Sequence, residues 1–407
     1  MDASSRDTIP VPLLLVLALL ASVAPFGIDL YLSAFPRMAV DLGTSDTAIQ
    51  LTLTTFLLGL AAGQLIFGPV SDRWGRRGPL LVGSAVFVVA SVLAVIAPTI
   101  AVLLAARLLQ GLSAAAGMVI GRAVIADLAT GRAAARAFSL MMIVGGVAPV
   151  VAPLLGSLLI EAIHWRGILG VLAGLAVAML AGSAVMVRES LPKERRGRSD
   201  SGGLRALRSR AYLSATVTLV FSFAVLMAYI SASPFLYQTV IGMSAVGYGL
   251  MFALNALGLV LSSAAAARSL RRTEPRRVLT VGVSWLAGAS AVLLVMSLLP
   301  ISVAWLPVPI FFAVSSLGFI LGPATAIALD AVPGAAGTGS AVLGAAQFGL
   351  AAVVSPLVGM GDGHTAMAVT IAVLAAIAAV SCLVFPCPSP AREEEFAGRA
   401  ELNATQG

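Results

Sequence analysis

Long uncharged runs constrain this chain more than any other feature of its sequence. They cover residues 8–28, 47–71, 78–106, 137–160, 167–187, 211–267, 278–329, 331–361 and 363–391. A bilayer's hydrocarbon core is about 30 Å thick, and roughly 20 mostly apolar residues cross it as one helix. The runs 211–267 and 278–329 hold two helices each, and the stretch 78–121, interrupted only by Arg107, holds another two. The sequence therefore predicts an all-α membrane protein with twelve transmembrane helices. Only 11% of its residues are charged, against about 25% in soluble domains. That scarcity excludes a soluble enzyme, a DNA-binding domain and a disulfide-rich secreted module, and twelve spans exclude a single-span receptor.

The net charge of +7 suggests nucleic acid until its distribution is read. With a cytoplasmic N-terminus, the inner segments hold Arg6, Arg73, Arg76, Arg77, Arg122, Arg132 and Arg136. They also hold eight basic residues from Arg188 to Arg210, five from Arg268 to Arg277, and Arg392 and Arg399. Together these make 22 of the 25 lysines and arginines, leaving Arg37 and Arg166 outside and Arg107 within a span. Such a bias follows the positive-inside rule. It predicts a multi-pass membrane protein with both termini in the cytoplasm, lipid around it and no nucleic-acid partner. The first run lacks a small-residue cleavage site and ends near Asp29, so it reads as a retained span rather than a signal peptide.

The longest polar segment, Arg188 to Arg210, divides the chain into residues 1–187, a linker at 188–210, residues 211–385 and a disordered tail at 386–407. Six spans plus six, joined by a basic inner loop, is the pattern of transporters built from two helical halves with the substrate between them. Cys382 and Cys387 match no metal-ligand or disulfide pattern, so neither a metal nor a cofactor is expected. Small residues crowd the fourth span (Gly111, Ala114, Ala115, Gly117, Gly121) and the fifth (Gly145, Gly146, Gly156), which suits close helix packing. Pro149 and Pro153 remove backbone donors from the fifth span and predict a kink or a compliant point.

Charges within a membrane are costly and by default functional. Asp29 lies about 9 Å below the outer face and Arg107 about 13 Å, at 1.5 Å per residue, so the two could meet across a cavity. Arginine stays protonated and cannot carry a proton, which leaves Asp29 as carrier; the competing reading is a pair that rivets two helices. Gln110 follows Arg107 by three positions and shares its face. At the inner side, Gly68 to Arg77 fills a tight turn in which Gly75 supplies backbone freedom. Asp72, Arg76 and Asp127 can form a latch there, beside the plainer reading of a solvated basic turn. Pocket candidates are Tyr31, Gln110, Met141, Met142, Tyr229, Asn255 and Gln347, within a wider set that includes Phe221, Met227, Phe235, Tyr237, Phe311, Phe312 and Phe348. Methionine and aromatic surfaces adapt to varied apolar ligands. His164 and His364 read as exposed residues of outer loops.

These motifs resemble those of the major facilitator superfamily. Gly68-Pro69-Val70-Ser71-Asp72-Arg73-Trp74-Gly75-Arg76-Arg77 looks like its signature loop, with Val70 in a leucine position. Arg107-Leu108-Leu109-Gln110-Gly111 resembles its fourth-helix motif. Gly145, Gly146, Pro149, Pro153 and Gly156 resemble the fifth-helix motif of drug/proton antiporters, although Ala148 stands where that motif has glycine. Ile28 to Leu32, Ile49 to Leu53, Ser231 to Phe235, Phe252 to Gly258 and Ser355 to Gly359 narrow the likeness to the Bcr/CflA drug-resistance group. The resemblance implies a monomeric, proton-gradient-driven exporter of small amphipathic drugs in a bacterial cytoplasmic membrane, with Asp29 and Arg107 in coupling. It also implies a latch of Gly68, Asp72, Arg73, Gly75, Arg76 and Asp127. A proton-coupled transporter of a metabolite such as an amino acid is the alternative. A membrane-embedded enzyme is a distant one, because the spans contain no histidine and too few acid–base groups.

Overall fold

A computed structural model describes residues 9–129, 131–193, 196, 206–332, 336–359 and 364–384. The tail at 386–407, most of the linker and the Met142 side chain lie outside the described residues. The chain folds as α1 (Val11–Asp29), α2 (Phe35–Asp41), α3 (Asp46–Trp74), α4 (Arg77–Val95), α5 (Ile100–Leu128) and α6 (Gly131–Met186). After the linker come α7 (Arg210–Pro234), α8 (Ala245–Ser269), α9 (Pro275–Leu298), α10 (Pro307–Ser316), α11 (Leu321–Asp330), α12 (Ala336–Leu357) and α13 (His364–Val384). Among the described residues, eleven stretches are long and apolar enough to cross a membrane. One of them belongs to α6, whose 56 residues would extend roughly 84 Å, far more than one crossing. His164, at φ 54° and ψ 178°, breaks it into two spans in series, which brings the number to twelve. Dihedrals along α6 depart from helical only there, so Pro149 and Pro153 are accommodated within a continuous helix.

Local chemistry sets the helix ends. Ser45, Thr99, Ser209 and Ser244 each accept a backbone N–H near the start of α3, α5, α7 and α8, the role of an N-cap. Gly75, at φ 93°, ends α3 in a backbone conformation that side chains disfavour. Three spans are discontinuous. The first is interrupted by a single 3₁₀ turn at Leu32–Ala34 between α1 and α2. The seventh ends in a π-helical turn at Phe235–Val240, and the tenth is divided into α10 and α11 by Leu317–Phe319.

The helices before the linker pack together through α3 on α5, α1 on α6 and α4 on both α5 and α6. Backbones approach closely at the glycines: a Cβ at Gly111 would run into the carbonyl oxygen of Phe56, and one at Gly59 into that of Leu108. Gly145 and Gly146, by contrast, have open space where a Cβ would stand. The helices after the linker pack through α13 on α7 and α9, and α10 on α8 and α9. The two sets meet along α3 with α12 and α6 with α8. Around this assembly, large apolar side chains such as Val82, Val89, Val185 and Leu261 are exposed, as lipid-facing positions require.

Candidate functional site

The site begins at the break in the first span. Ending α1 at Asp29 leaves carbonyls of its last turn without helical partners. Arg107, fully buried on α5, donates from one terminal nitrogen to the Gly27 carbonyl at 2.5 Å. Its other terminal nitrogen donates to Gln110 Oε1 at 2.9 Å, and Gln110 Nε2 donates on to Ser91 Oγ at 2.9 Å. The guanidinium lies 4.3 Å from the centre of the Tyr31 ring and 4.4 Å from that of Phe56, a cation held between two aromatic faces. Tyr31 Oη in turn lies 3.0 Å from Thr52 Oγ1. Arg107, Gln110 and Tyr31 thus form one cluster inside the first half, where a cation caps the C-terminal end of a helix.

Asp29 does not join this cluster. Among the described residues no ion pair links it to Arg107. The physical reason is helical phase. Gly27 faces Phe56 on α3, and two residues further on a helix turns about 200°, so Asp29 presents its carboxylate to the other half of the molecule. It is 3% exposed, and its Oδ1 has no hydrogen-bond partner. It lines a cavity of about 180 Å³ with Pro25, Met118, Pro149, Met227, Tyr229, Phe252 and Phe348. Asp29 is the one charged residue in that lining.

Of the pocket candidates, Met227, Tyr229 and Phe348 line this cavity. Asn255 is buried on α8 and donates to the Met251 carbonyl at 2.8 Å. Met141 is buried against Gly121, and Gln347 is half-buried on α12 beside the lining residue Phe348. Met118, Pro25 and Phe252 line the cavity as well; the sequence reading did not single them out as pocket residues, although Met118 and Phe252 are of the types that suit an adaptable apolar wall.

At one face the halves are sealed. Thr47 Oγ1 donates to the Gly359 carbonyl at 3.0 Å, Gln50 Nε2 to the Ser231 carbonyl at 3.2 Å, and Gln238 Nε2 to the Ser33 carbonyl at 3.2 Å. The Phe35 and Phe235 rings meet at 5.9 Å. His364 is half-buried in this seal with Asp46 and Gln50, not in an exposed loop; His164 is exposed. At the opposite face, which carries Arg73, Arg76 and Arg122, a cavity of about 570 Å³ separates α3 and α5 from the start of α12.

The basic face also holds the turn between α3 and α4. Arg76 donates to Asp72 Oδ1 at 2.5 Å, to Asp127 Oδ2 at 2.9 Å and to Ser71 Oγ at 2.9 Å. Burial works against its charge, and the two carboxylates outweigh it, raising its pKa. Gly68 accepts Ser71 Oγ at 3.0 Å, and Arg73 lines the large cavity. The start of the linker joins in, a feature the sequence reading missed. Glu189 accepts the backbone N–H of Arg76 at 2.8 Å and of Arg77 at 3.4 Å, and Ser190 Oγ donates to Asp127 at 2.9 Å. Arg196 lies 3.5 Å from Glu189. The available signal was a carboxylate shortly after a span end, facing a helix start that lacks a side-chain cap of its own. Among the described residues, no group of three or more His, Cys, Asp or Glu side chains is placed to hold a metal.

The sequence profile described as Major Facilitator Superfamily matches residues 17–356. The chain is 36% identical over 354 residues to an uncharacterized MFS-type transporter, YdgK, of Bacillus subtilis, covering 85% of this chain and 88% of that protein. It is 30% identical over 375 residues to the multidrug resistance protein MdtL of Escherichia coli, covering 89% and 93%. Among solved structures, a D-xylose-proton symporter superposes with a TM-score of 0.72 at 14% identity, covering 92% and 97% of the two chains. A bacterial homologue of the lysosomal transporter Spinster, in an inward-facing and occupied conformation, gives 0.71 at 16% identity over 91% and 95%.

Proposed function

Because the chain belongs to the major facilitator superfamily and is a membrane transporter of small molecules rather than an enzyme, we propose that it exports small amphipathic drugs in exchange for protons. The observation that carries this reading is Asp29: a buried carboxylate with an unpartnered oxygen, alone in charge within an apolar cavity between the halves. The 30% identity to MdtL, named a multidrug resistance protein, supports the drug class. In this reading the basic face is cytoplasmic, and the large cavity there with the opposite seal is an inward-facing arrangement. The monomer works by rocking its halves about Asp29. Opening the outer seal lets Asp29 take a proton; reopening the basic face releases it. Moving one elementary charge through about 100 mV is worth about 2.3 kcal/mol, enough to drive uphill export.

A second reading, proton-coupled transport of a metabolite such as an amino acid, is favoured by the cavity's size. Its volume of about 180 Å³ lies below the roughly 300–1,000 Å³ of drug-sized pockets. Drug accumulation in an efflux-deficient host, measured with and without an uncoupler, separates the two. Export requires accumulation to rise when the gradient collapses. Asp29→Asn is expected to abolish gradient-driven export while the protein still inserts, and resistance equal to the wild type in that variant would refute proton carriage by Asp29.

A further inference from the structure

The lipid-facing surface of the second half carries a trough that transport through the central cavity does not use. Two helices, α7 and α13, are drawn together there by a reciprocal pair of hydrogen bonds. Ser214 Oγ donates to the Ser381 carbonyl at 2.9 Å, and Ser381 Oγ donates to the Ser214 carbonyl at 3.2 Å. One turn further along α7, Thr218 Oγ1 reaches the Ala378 carbonyl at 3.5 Å, so the helices run antiparallel. Small side chains at such a contact let backbones approach closely, and bulkier neighbours then stand as walls. Leu213 and Val217 on α7 and Ile377 and Val380 on α13 flank a cavity of about 490 Å³ over the two serines. Leu213, Ile377 and Val380 are exposed. From Arg210 to Val217 the trough follows α7 for about 10 Å, at 1.5 Å per residue. Arg210 is the one charged residue in its lining. It stands at the basic-face end, because Tyr212 donates to the Gly339 carbonyl at 2.9 Å, next to the start of α12 that borders the large cavity. Among the described residues no carboxylate pairs with Arg210. A second cation, Arg276 of α9, lines a small cavity that shares Ser214 with the trough, and no acidic side chain lines either space. Apolar along its length and cationic at one end, the trough has the polarity of a lipid with an anionic head.

We propose that this trough binds an anionic phospholipid, with its phosphate on the Arg210 guanidinium and one acyl chain laid between α7 and α13. Guanidinium groups match phosphate oxygens in charge and geometry, and basic pockets between membrane helices take anionic headgroups. A zwitterionic lipid fits the apolar length equally well but brings its own cation to Arg210, so selectivity comes from the charge of the head. The bound lipid clasps the first and last helices of the second half at their basic-face ends. Nothing in this site depends on which molecule the chain transports.

Native mass spectrometry of the purified full-length chain, released from detergent micelles, measures the Kd of the first bound lipid. The probes are dioleoylphosphatidylglycerol and dioleoylphosphatidylcholine, which share their acyl chains and differ in head charge. One arginine at a charged membrane surface is worth about a fivefold preference, and the wild type is expected to favour the anionic lipid by that factor. Arg210→Gln is expected to remove the preference and Arg210→Lys to keep most of it. Ala376→Phe, which fills the trough, is expected to weaken both lipids. Arg210 and Ala376 are exposed, so these variants are expected to fold, and monodisperse elution checks each. Arg271→Gln removes an exposed cation in the turn after α8, outside the lining, and is expected to leave the preference intact. Equal affinity of the wild type for the two lipids overturns the site. So does a preference that survives Arg210→Gln, a loss as large in Arg271→Gln, or binding that Ala376→Phe leaves unchanged.

Discussion

Asp29 and Arg107 make opposite predictions for stability, and that difference can be worked out from their partners. Had they formed a buried ion pair, removing either partner would cost about 3–5 kcal/mol by stranding the other charge. Instead Arg107 holds the Gly27 carbonyl and Gln110 Oε1 and lies between two rings. Hydrogen bonds to charged groups contribute about 1.5–3 kcal/mol each, and the ring contacts at least about 0.5 kcal/mol each. These contacts sum to about 4 kcal/mol at the low end, so Arg107→Met should destabilise the fold by that amount less the relief of no longer burying a charge without a counter-ion. Asp29 Oδ1 has no partner to lose, so Asp29→Asn should leave stability unchanged or raise it by removing a buried charge. Equilibrium unfolding in mixed detergent micelles, measured by tryptophan fluorescence, reads both values. An Asp29→Asn variant destabilised by 3 kcal/mol or more would refute the separation of the two residues.

The packing and the basic-face turn carry further expectations. Gly156→Ala places a Cβ against the Leu30 carbonyl, at the break that aims Asp29, and should sharply reduce folded yield; Gly145→Ala and Gly146→Ala meet open space and should not, as size-exclusion profiles would show. Glu189 is pushed up by burial but held below its ordinary value of 4.5 by the backbone N–H groups of Arg76, Leu191 and Arg77 and by the charge of Arg196. Its depressed folded-state pKa means that its contribution is fully present above the ordinary glutamate range and is lost as pH falls through the folded value. Protection factors of the Arg76 and Arg77 amides, which take out the intrinsic pH dependence of exchange, should thus hold from neutral pH to the ordinary glutamate value and fall as pH drops through the lower folded-state value, and Glu189→Gln should lower them at neutral pH.

The helical spans were legible because hydrocarbon forces backbone groups to pair within a segment, which imprints length and lack of charge on the sequence. Arg107 with Gln110 and Arg76 with its two aspartates were legible for a similar reason, since lone charges and fixed helical spacings leave few arrangements open. Depth arithmetic put Asp29 near Arg107, yet it could not foresee the break at Leu30 and Tyr31, which decides which way each residue faces. That break has no proline or glycine of its own to announce it. Tyr31 read as a pocket residue for its aromatic ring, but the guanidinium of Arg107 claims that ring for the interior of the first half. Pro149 read as a kink or a compliant point; its place in the cavity lining was not foreseen, and the helix continues through it. The seventh span ends in a π-helical turn, and the sequence Phe235 to Val240 carries no periodicity that distinguishes such a turn from the end of an ordinary helix.

The attachment of Glu189 and Ser190 to the α3–α4 turn bears on how the chain can be divided. Because these residues complete the first half's own hydrogen bonding, the functional boundary between the halves lies beyond the last helical residue, Met186. A pair of co-expressed fragments split at 187–188 would place the helix-start cap of α4 on the wrong polypeptide. A split after residue 200 keeps that cap, and Arg196 with it, on the fragment that needs them. The first stretch of the linker is thus a part of the first half, and the covalent joint between the halves lies beyond it.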